Sequence, residues 1–146
     1  MEFTSTKFRI ITDQWSELQR HAKQIRYAVF VDEQGISENI EIDDKDIECV
    51  HVVIMHADGF PVATARMDAS GKIGRMAVLA EWRNKNLGRA LLNTLLQLAK
   101  DRDLQQVHCH AQQQVSEFYE KAGFNPIDTP FNEAGIVHLK MVKNLI

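Results

Sequence analysis

The chain has 146 residues, of which 45% are apolar, and its 17 basic and 20 acidic side chains leave a formal net charge of −3. That length fits a single domain spanning 1–146 rather than two cores, the composition excludes a disordered or fibrous chain, and the faint negative charge argues against a general polyanion binder such as a nucleic-acid protein. No apolar run approaches the roughly 20 residues a bilayer demands: Ala28-Val29-Phe30-Val31 and Val52-Val53-Ile54-Met55 soon meet polar neighbours.

Met1-Glu2-Phe3-Thr4-Ser5 lacks the basic and apolar regions of a secretory signal, and Cys49 and Cys109 are too few for a disulfide framework and too isolated for a Cys-x-x-Cys site. A cytoplasmic protein with two core thiols is expected. Trp15, Leu18, Ala22, Ile25 and Val29 recur at three- and four-residue steps and predict a helix that Asp13 caps and that ends before Gly35. Val50 to His56 and Phe60 to Asp68, separated by Ala57-Asp58-Gly59, read as an antiparallel hairpin. Lys72 to Leu79 follows as a third strand. Leu87, Leu91, Leu92, Leu95, Leu96 and Ala99 mark the clearest amphipathic helix, Gln105 to Ala111 is strand-like, and Val115, Phe118, Tyr119 and Ala122 lead a short helix to a left-handed cap at Gly123. Ile136 to Val142 is the last strand. Helix, antiparallel strands, helix, strand, helix, strand is the pattern of an α/β (α+β) protein whose mixed sheet carries helices on its faces.

Two stretches concentrate charge. Glu38 to Glu48 is strongly acidic and reads either as a face for a cationic substrate or as a solvated loop or short helix; its spacing excludes an EF-hand, because Cys49 and Met55 fall where that loop needs Gly and Glu. Between the third strand and the leucine-rich helix, Arg83, Lys85 and Arg89 gather at a helix N-terminus, where unpaired N–H groups and a partial positive charge receive phosphate. Gly88 would let the backbone approach a pyrophosphate closely. The Walker and Gly-x-Gly-x-x-Gly patterns are both absent, which removes most support for ATP in a P-loop or NAD on a Rossmann motif.

The Arg83-x-x-Asn86-x-Gly88 loop with its strand and helix, followed by Phe118-Tyr119-Glu120-Lys121-Ala122-Gly123-Phe124, resembles the acyl-CoA-binding core of the GNAT N-acetyltransferases. Arg26 to Gly35, Ile73 to Val78, Ala111-Gln112 and Gly135-Ile136-Val137-His138 extend the likeness to the small bacterial branch typified by ElaA and YjcF, over about Phe8 to Val142. The resemblance implies a mixed, mostly antiparallel sheet and acetyl-CoA as cosubstrate with an amine acceptor, in a possible homodimer. It implies that the pantetheine arm lies along Met76, Ala77 and Val78, and that the pyrophosphate sits over Arg83, Asn84, Lys85, Asn86, Leu87, Gly88 and Arg89. The N–H near Val78 is the implied oxyanion donor, Tyr119 the implied general acid for the departing thiolate, and Gln112 an implied partner of the cofactor arm. Tyr119 has a competing reading as part of its helix's buried face. Two residues depart from the family pattern: Asn86 stands where Gly is usual and Gln112 where Asn is. Asn tolerates positive φ better than other non-glycine residues, so the turn should survive.

No general base emerges from the sequence. Glu33, Asp46, His51 and His138 are candidates on the acceptor side, beside a water chain with no single base, and a histidine on a strand is often structural. Arg66 and Arg75 either attract a substrate carboxylate or pair with acids such as Glu33. His108-Cys109-His110 is not expected to bind metal, because alternation puts Cys109 on the opposite face. An acyl-CoA-binding module without transfer is the main alternative to an enzyme, and an acyl-homoserine-lactone synthase, which is generally longer, is a third reading.

Overall fold

A computed structural model describes residues 7–146; the reading of Met1 to Ser5 lies outside them. The chain runs β1 (Phe8–Gln14), α1 (Trp15–Arg26), a π-helical segment (Tyr27–Glu33), a single turn α2 (Glu38–Glu41), a 3₁₀ turn (Asp44–Glu48), β2 (Val50–His56), β3 (Pro61–Met67), β4 (Lys72–Val78), a second 3₁₀ turn (Ala80–Trp82), α3 (Leu87–Asp101), β5 (Gln106–Gln112), a third 3₁₀ turn (Gln113–Val115), α4 (Ser116–Lys121), β6 (Asn125–Glu133) and β7 (Ile136–Asn144). The seven strands form one sheet in the order β1-β2-β3-β4-β5-β7-β6. Only the β4–β5 pairing is parallel.

Apolar alternation explains the layers. Val52, Ile54, Ala63, Ala65, Met67, Ile73, Val107, Cys109, Ala111 and Met141 point to one face, where the leucine stripe of α3, Tyr119 and Phe124 close the main core. Val53 and Met55 meet Leu18 of α1 on the other face, and Ala77 meets Ile25, Val29 and Phe30 there. Both cysteines are buried free thiols, and burial pushes the Cys109 thiol up to about 12.

Several boundaries differ from the sequence expectation. β1 and β6, both absent from that reading, flank the sheet. Asp13 lies in β1, and its carboxylate accepts from the Gln14 amide at 2.7 Å instead of capping α1. The first helix changes to π-helical winding at Tyr27, and Gly35 follows it at φ +71°. The Asp58-Gly59 hairpin and the positive-φ residue Gly123 after α4 stand as expected.

Candidate active site

β4 and β5 share only the rungs Lys72/His108 and Ile73/Cys109. Each then continues against another neighbour, β4 along β3 to Val78 and β5 along β7 to Gln112. A cleft therefore opens in the middle of the sheet between Gly74–Val78 and His110–Gln112. A bulge shapes its β4 wall: Arg75 and Met76 together oppose Ala65, with Arg75 at φ +49°. Leu79 donates to the Val62 carbonyl at 3.0 Å. Ala63 and Val78 are accordingly a non-hydrogen-bonded pair, so the Val78 N–H turns away from β3 toward the cleft.

The loop after β4 brings α3 to the cleft mouth. Asn84 and Asn86 both adopt φ +63°, the conformation expected for Asn86, and no side chain of the N-cap residue Asn86 caps α3. The first-turn amides of Leu87, Gly88 and Arg89 have no intrahelical acceptor, whereas Ala90 bonds the Asn86 carbonyl at 3.1 Å. Lys85 and Arg89 are exposed there. Cations at the positive end of a helix dipole are unfavourable alone, so this corner suits an anion.

Individual side chains refine the expected phosphate site. Leu87 is buried, and Ala77 packs into the α1 face, so each offers only backbone. A Cβ at Gly88 would meet the Phe118 ring at 3.5 Å, so its missing side chain faces α4 and what Gly88 offers at this corner is its backbone amide. Arg83 donates to both Glu33 carboxylate oxygens at 2.6 and 2.7 Å and through Nε to the Val78 carbonyl at 2.9 Å. It clamps the π-helical segment to the end of β4. The same hydrogen bonds hold the Glu33 carboxyl below its usual range, which suits an ion-pair partner better than a base.

On the other wall, the Tyr119 hydroxyl reaches Met76 Sδ at 3.9 Å, edge-on to Phe118 and Phe124. Tyr119 thus belongs to the buried face of α4 and also borders the cleft. Burial pushes its phenol well above the ordinary tyrosine range, so it stays protonated. Gln112 exchanges amide hydrogen bonds with Gln34, at 2.8 and 3.4 Å, linking β5 to the end of the π-helical segment. Sequence reasoning missed Gln34, whose partner lies 78 residues away.

The acidic stretch divides: Glu38, Asp44 and Glu48 are exposed on the short helix and the 3₁₀ turn, as a solvated reading expects, and its other three carboxylates turn inward. Glu41 and Asp46 are buried. Arg26 forks onto both, with Nη1 2.8 Å from Asp46 and Nη2 2.9 Å from Glu41. Arg66 bridges Asp43 and Asp46 at 2.7–2.8 Å, and Arg75 reaches Asp43 at 3.2 Å and the Glu41 carbonyl at 3.1 Å. Three arginines thus balance three carboxylates. Burial raises the Asp46 carboxyl, but the two guanidiniums outweigh it and leave the group low; the Arg66 fork takes Asp43 to about 2.

His51 is 1% exposed and donates from Nε2 to the Asp46 carbonyl at 2.9 Å, with burial lowering its pKa. His51, Asp46 and Arg66 are therefore interior structure, and Arg66 and Arg75 do pair with acids, but with Asp43 and its neighbours, since Glu33 is taken by Arg83. His138 stands opposite Gln112, buried, with Nδ1 2.7 Å from the Ile136 carbonyl. Among the described residues no group of three or more His, Cys, Asp or Glu is placed to hold a metal, and no helix is long and apolar enough to cross a membrane.

Comparison with known proteins matches this architecture. The family model of the acetyltransferase (GNAT) domain covers residues 18–145. YjcF of Bacillus subtilis, named as an uncharacterized N-acetyltransferase, is 33% identical over 86% of this chain and 91% of its own, and ElaA of Escherichia coli is 30% identical over 84% and 85%. The crystal structure of E. coli ElaA superimposes with a TM-score of 0.82 over 92% of this chain and 99% of that one, and an acyl-CoA N-acyltransferase from Pseudomonas aeruginosa gives 0.81 at 26% identity over the same shares. The chain belongs to the GNAT acetyltransferase family.

Proposed function

We propose that this protein is a cytoplasmic, single-domain N-acetyltransferase that moves an acetyl group from acetyl-CoA to a primary amine of a small molecule or peptide. The observation that carries this reading is the cleft between β4 and β5, which ends at the uncapped, cation-bearing N-terminus of α3. In it the pantetheine arm lies along Met76 to Val78, with Lys85, Arg89 and the first α3 amides on the phosphates. The Val78 N–H stabilises the oxyanion as the amine attacks the thioester carbon. When the C–S bond breaks, the Tyr119 hydroxyl protonates the departing thiolate; a phenol with a raised pKa is a weaker acid than the thiol, so this transfer is uphill by itself and is completed as the proton shed by the amide nitrogen returns to the phenolate.

Thermal melting with acetyl-CoA, ATP and NADH tests the cosubstrate. Stabilisation by acetyl-CoA alone is expected, about 2.7 kcal/mol at 100 times its Kd, and no shift would remove any CoA reading. Thiol release across an amine panel then separates an enzyme from a binding module. Tyr119→Phe should slow that release about 100-fold while sparing the melting shift; unchanged turnover would refute the acid role.

A further inference from the structure

The first residues past the last shared rung of β4 and β5 are Gly74 and His110. Alternation along each strand puts both on the α1 side of the sheet. A Cβ on Gly74 would meet nothing within 4 Å, so the space before His110 at the throat of the cleft is open. Helix α1 packs on β1, β2, β3 and β4, and the side chains that meet His110 come from the end of β6.

The last residue of β6 is Glu133. His110 Nδ1 lies 3.0 Å from Glu133 Oε1, and the Phe131 ring stands edge-on to the imidazole at 5.1 Å and 79°. Partial burial raises the Glu133 carboxyl, yet the His110 hydrogen bond and the neighbouring cationic groups outweigh that and keep it ionised. An ionised carboxylate only accepts, so the shared proton sits on Nδ1; in the neutral ring that arrangement leaves the lone pair on Nε2. With 26% of its side chain exposed, His110 is open to solvent. His138 is differently placed: its Nδ1 is spent on Ile136, Nε2 lies 3.8 Å from the second Glu133 oxygen, and the side chain is 8% exposed. The other titratable groups around His110 are Lys140 directly across on β7, and His108 two residues back on β5 with Lys72 of β4 beside it.

We propose that His110 is the general base for the acceptor amine and that Glu133 is its positioning residue, holding Nδ1 so that Nε2 receives the proton. This rests on the acyl-transfer reading above. His110 stands two residues from Gln112, about 6.8 Å along the strand, farther than one hydrogen bond of about 2.8 Å reaches, so in this proposal bridging water carries the proton. One proton of the acceptor's ammonium passes through that water to Nε2 and then to solvent. The freed lone pair forms the C–N bond; as the tetrahedral intermediate expels the thiolate, nitrogen loses a second proton, balancing the one the thiolate takes up.

The test uses the full chain with acetyl-CoA. Long-range ¹H–¹⁵N correlation of the histidine rings at pH 7.5, assigned with His110→Gln, should show His110 of the acetyl-CoA complex as the Nδ1–H tautomer, and Glu133→Gln should shift it toward the other tautomer. An Nε2–H ring or an imidazolium in the wild type overturns the proposal, and this arm needs no acceptor. Thiol release is then followed from pH 6 to 9.5 with the fastest of ethanolamine, tyramine, lysine and spermidine. His110→Gln should lose about 100-fold in kcat/KM at pH 7 and recover most of it by pH 9.5, where the amine sheds its own proton; Glu133→Gln should lose about 10-fold. No loss, or a loss equal at every pH, overturns the base role. The acetyl-CoA melting shift separates the two layers: its absence in the wild type defeats the acyl-CoA reading itself, whereas its survival in a His110→Gln protein of undiminished rate defeats only the base.

Discussion

Glu38–Glu48 and Arg83–Arg89 are the two charge-dense stretches of the chain, and the fold treats them oppositely. Half of the acidic one's carboxylates turn inward, where Arg26, Arg66 and Arg75 from α1, β3 and β4 meet Glu41, Asp43 and Asp46 charge for charge, while Glu38, Asp44 and Glu48 stay exposed. The basic one surrenders only Arg83 to Glu33 and leaves Lys85 and Arg89 exposed at a helix end that is itself positive. Charge density in sequence is therefore a poor guide to a binding face; what separates the two is whether opposite charge arrives from distant parts of the chain. A matched buried network fixes structure, while an unmatched surface cluster costs stability that a bound anion recovers.

The sharpest way to break the comparison is to unbalance the buried network. Asp46→Ala removes the carboxylate that Arg26 and Arg66 share, leaving three guanidiniums to two carboxylates in the buried network, and should cost about 3–5 kcal/mol, roughly 10–20 °C in Tm. A calorimetric loss under 1 kcal/mol would mean that water reaches the two guanidiniums. Acid should do gradually what the mutation does at once. Asp43 titrates at about 2 and Asp46 also lies below its ordinary value, so the folded chain binds those protons less readily than the unfolded one. Their stabilisation is complete above the unfolded carboxylate value of about 4 and is lost as pH falls through the folded values toward about 2. Denaturant midpoints should fall across that window in the wild type and fall less in Asp46→Ala.

Legibility follows the same division. The leucine stripe of α3 and the Asp58-Gly59 hairpin are local signals, and both hold in the structure. β6 is mostly exposed, contains Pro126 and Pro130 and breaks register between Ile127 and Phe131, so it has no alternating apolar face to read. β1 is an edge strand with one partner and only scattered inward residues. Of the site, the loop before α3 and Tyr119 are carried by contiguous motifs. The ion network joins residues 15 to 34 positions apart, and His110 meets Glu133 across 23. Such pairs leave no mark on local periodicity, which is why His51 and Arg66 look like acceptor groups in the sequence and His110 does not.

The surface cluster should respond with the opposite sign. Lys85→Ala and Arg89→Ala each remove a cation from the positive end of α3, so the ligand-free protein should gain about 0.3–1 kcal/mol in denaturation. Acetyl-CoA affinity should drop about fivefold per substitution, and the deficit should shrink as salt screens the remaining charges. Equal affinity in low salt would take the phosphates away from this corner.

Asn86 sharpens the comparison at its smallest scale, because there the cluster depends on backbone conformation and not on charge. At φ +63° a β-carbon is strained, by about 1–2 kcal/mol for most residues and less for Asn, whose side chain suits that region. Glycine relieves the strain but returns about 0.4–1 kcal/mol of freedom to the unfolded chain. The two terms nearly cancel, so Asn86→Gly should leave stability within about 0.5 kcal/mol of wild type, with acetyl-CoA affinity equal or better. Asn86→Ala keeps the strained β-carbon without the amide and should lose about 1 kcal/mol. If glycine instead weakens acetyl-CoA binding as much as Lys85→Ala does, the Asn86 amide itself takes part in holding the cosubstrate, and the turn is not its whole contribution.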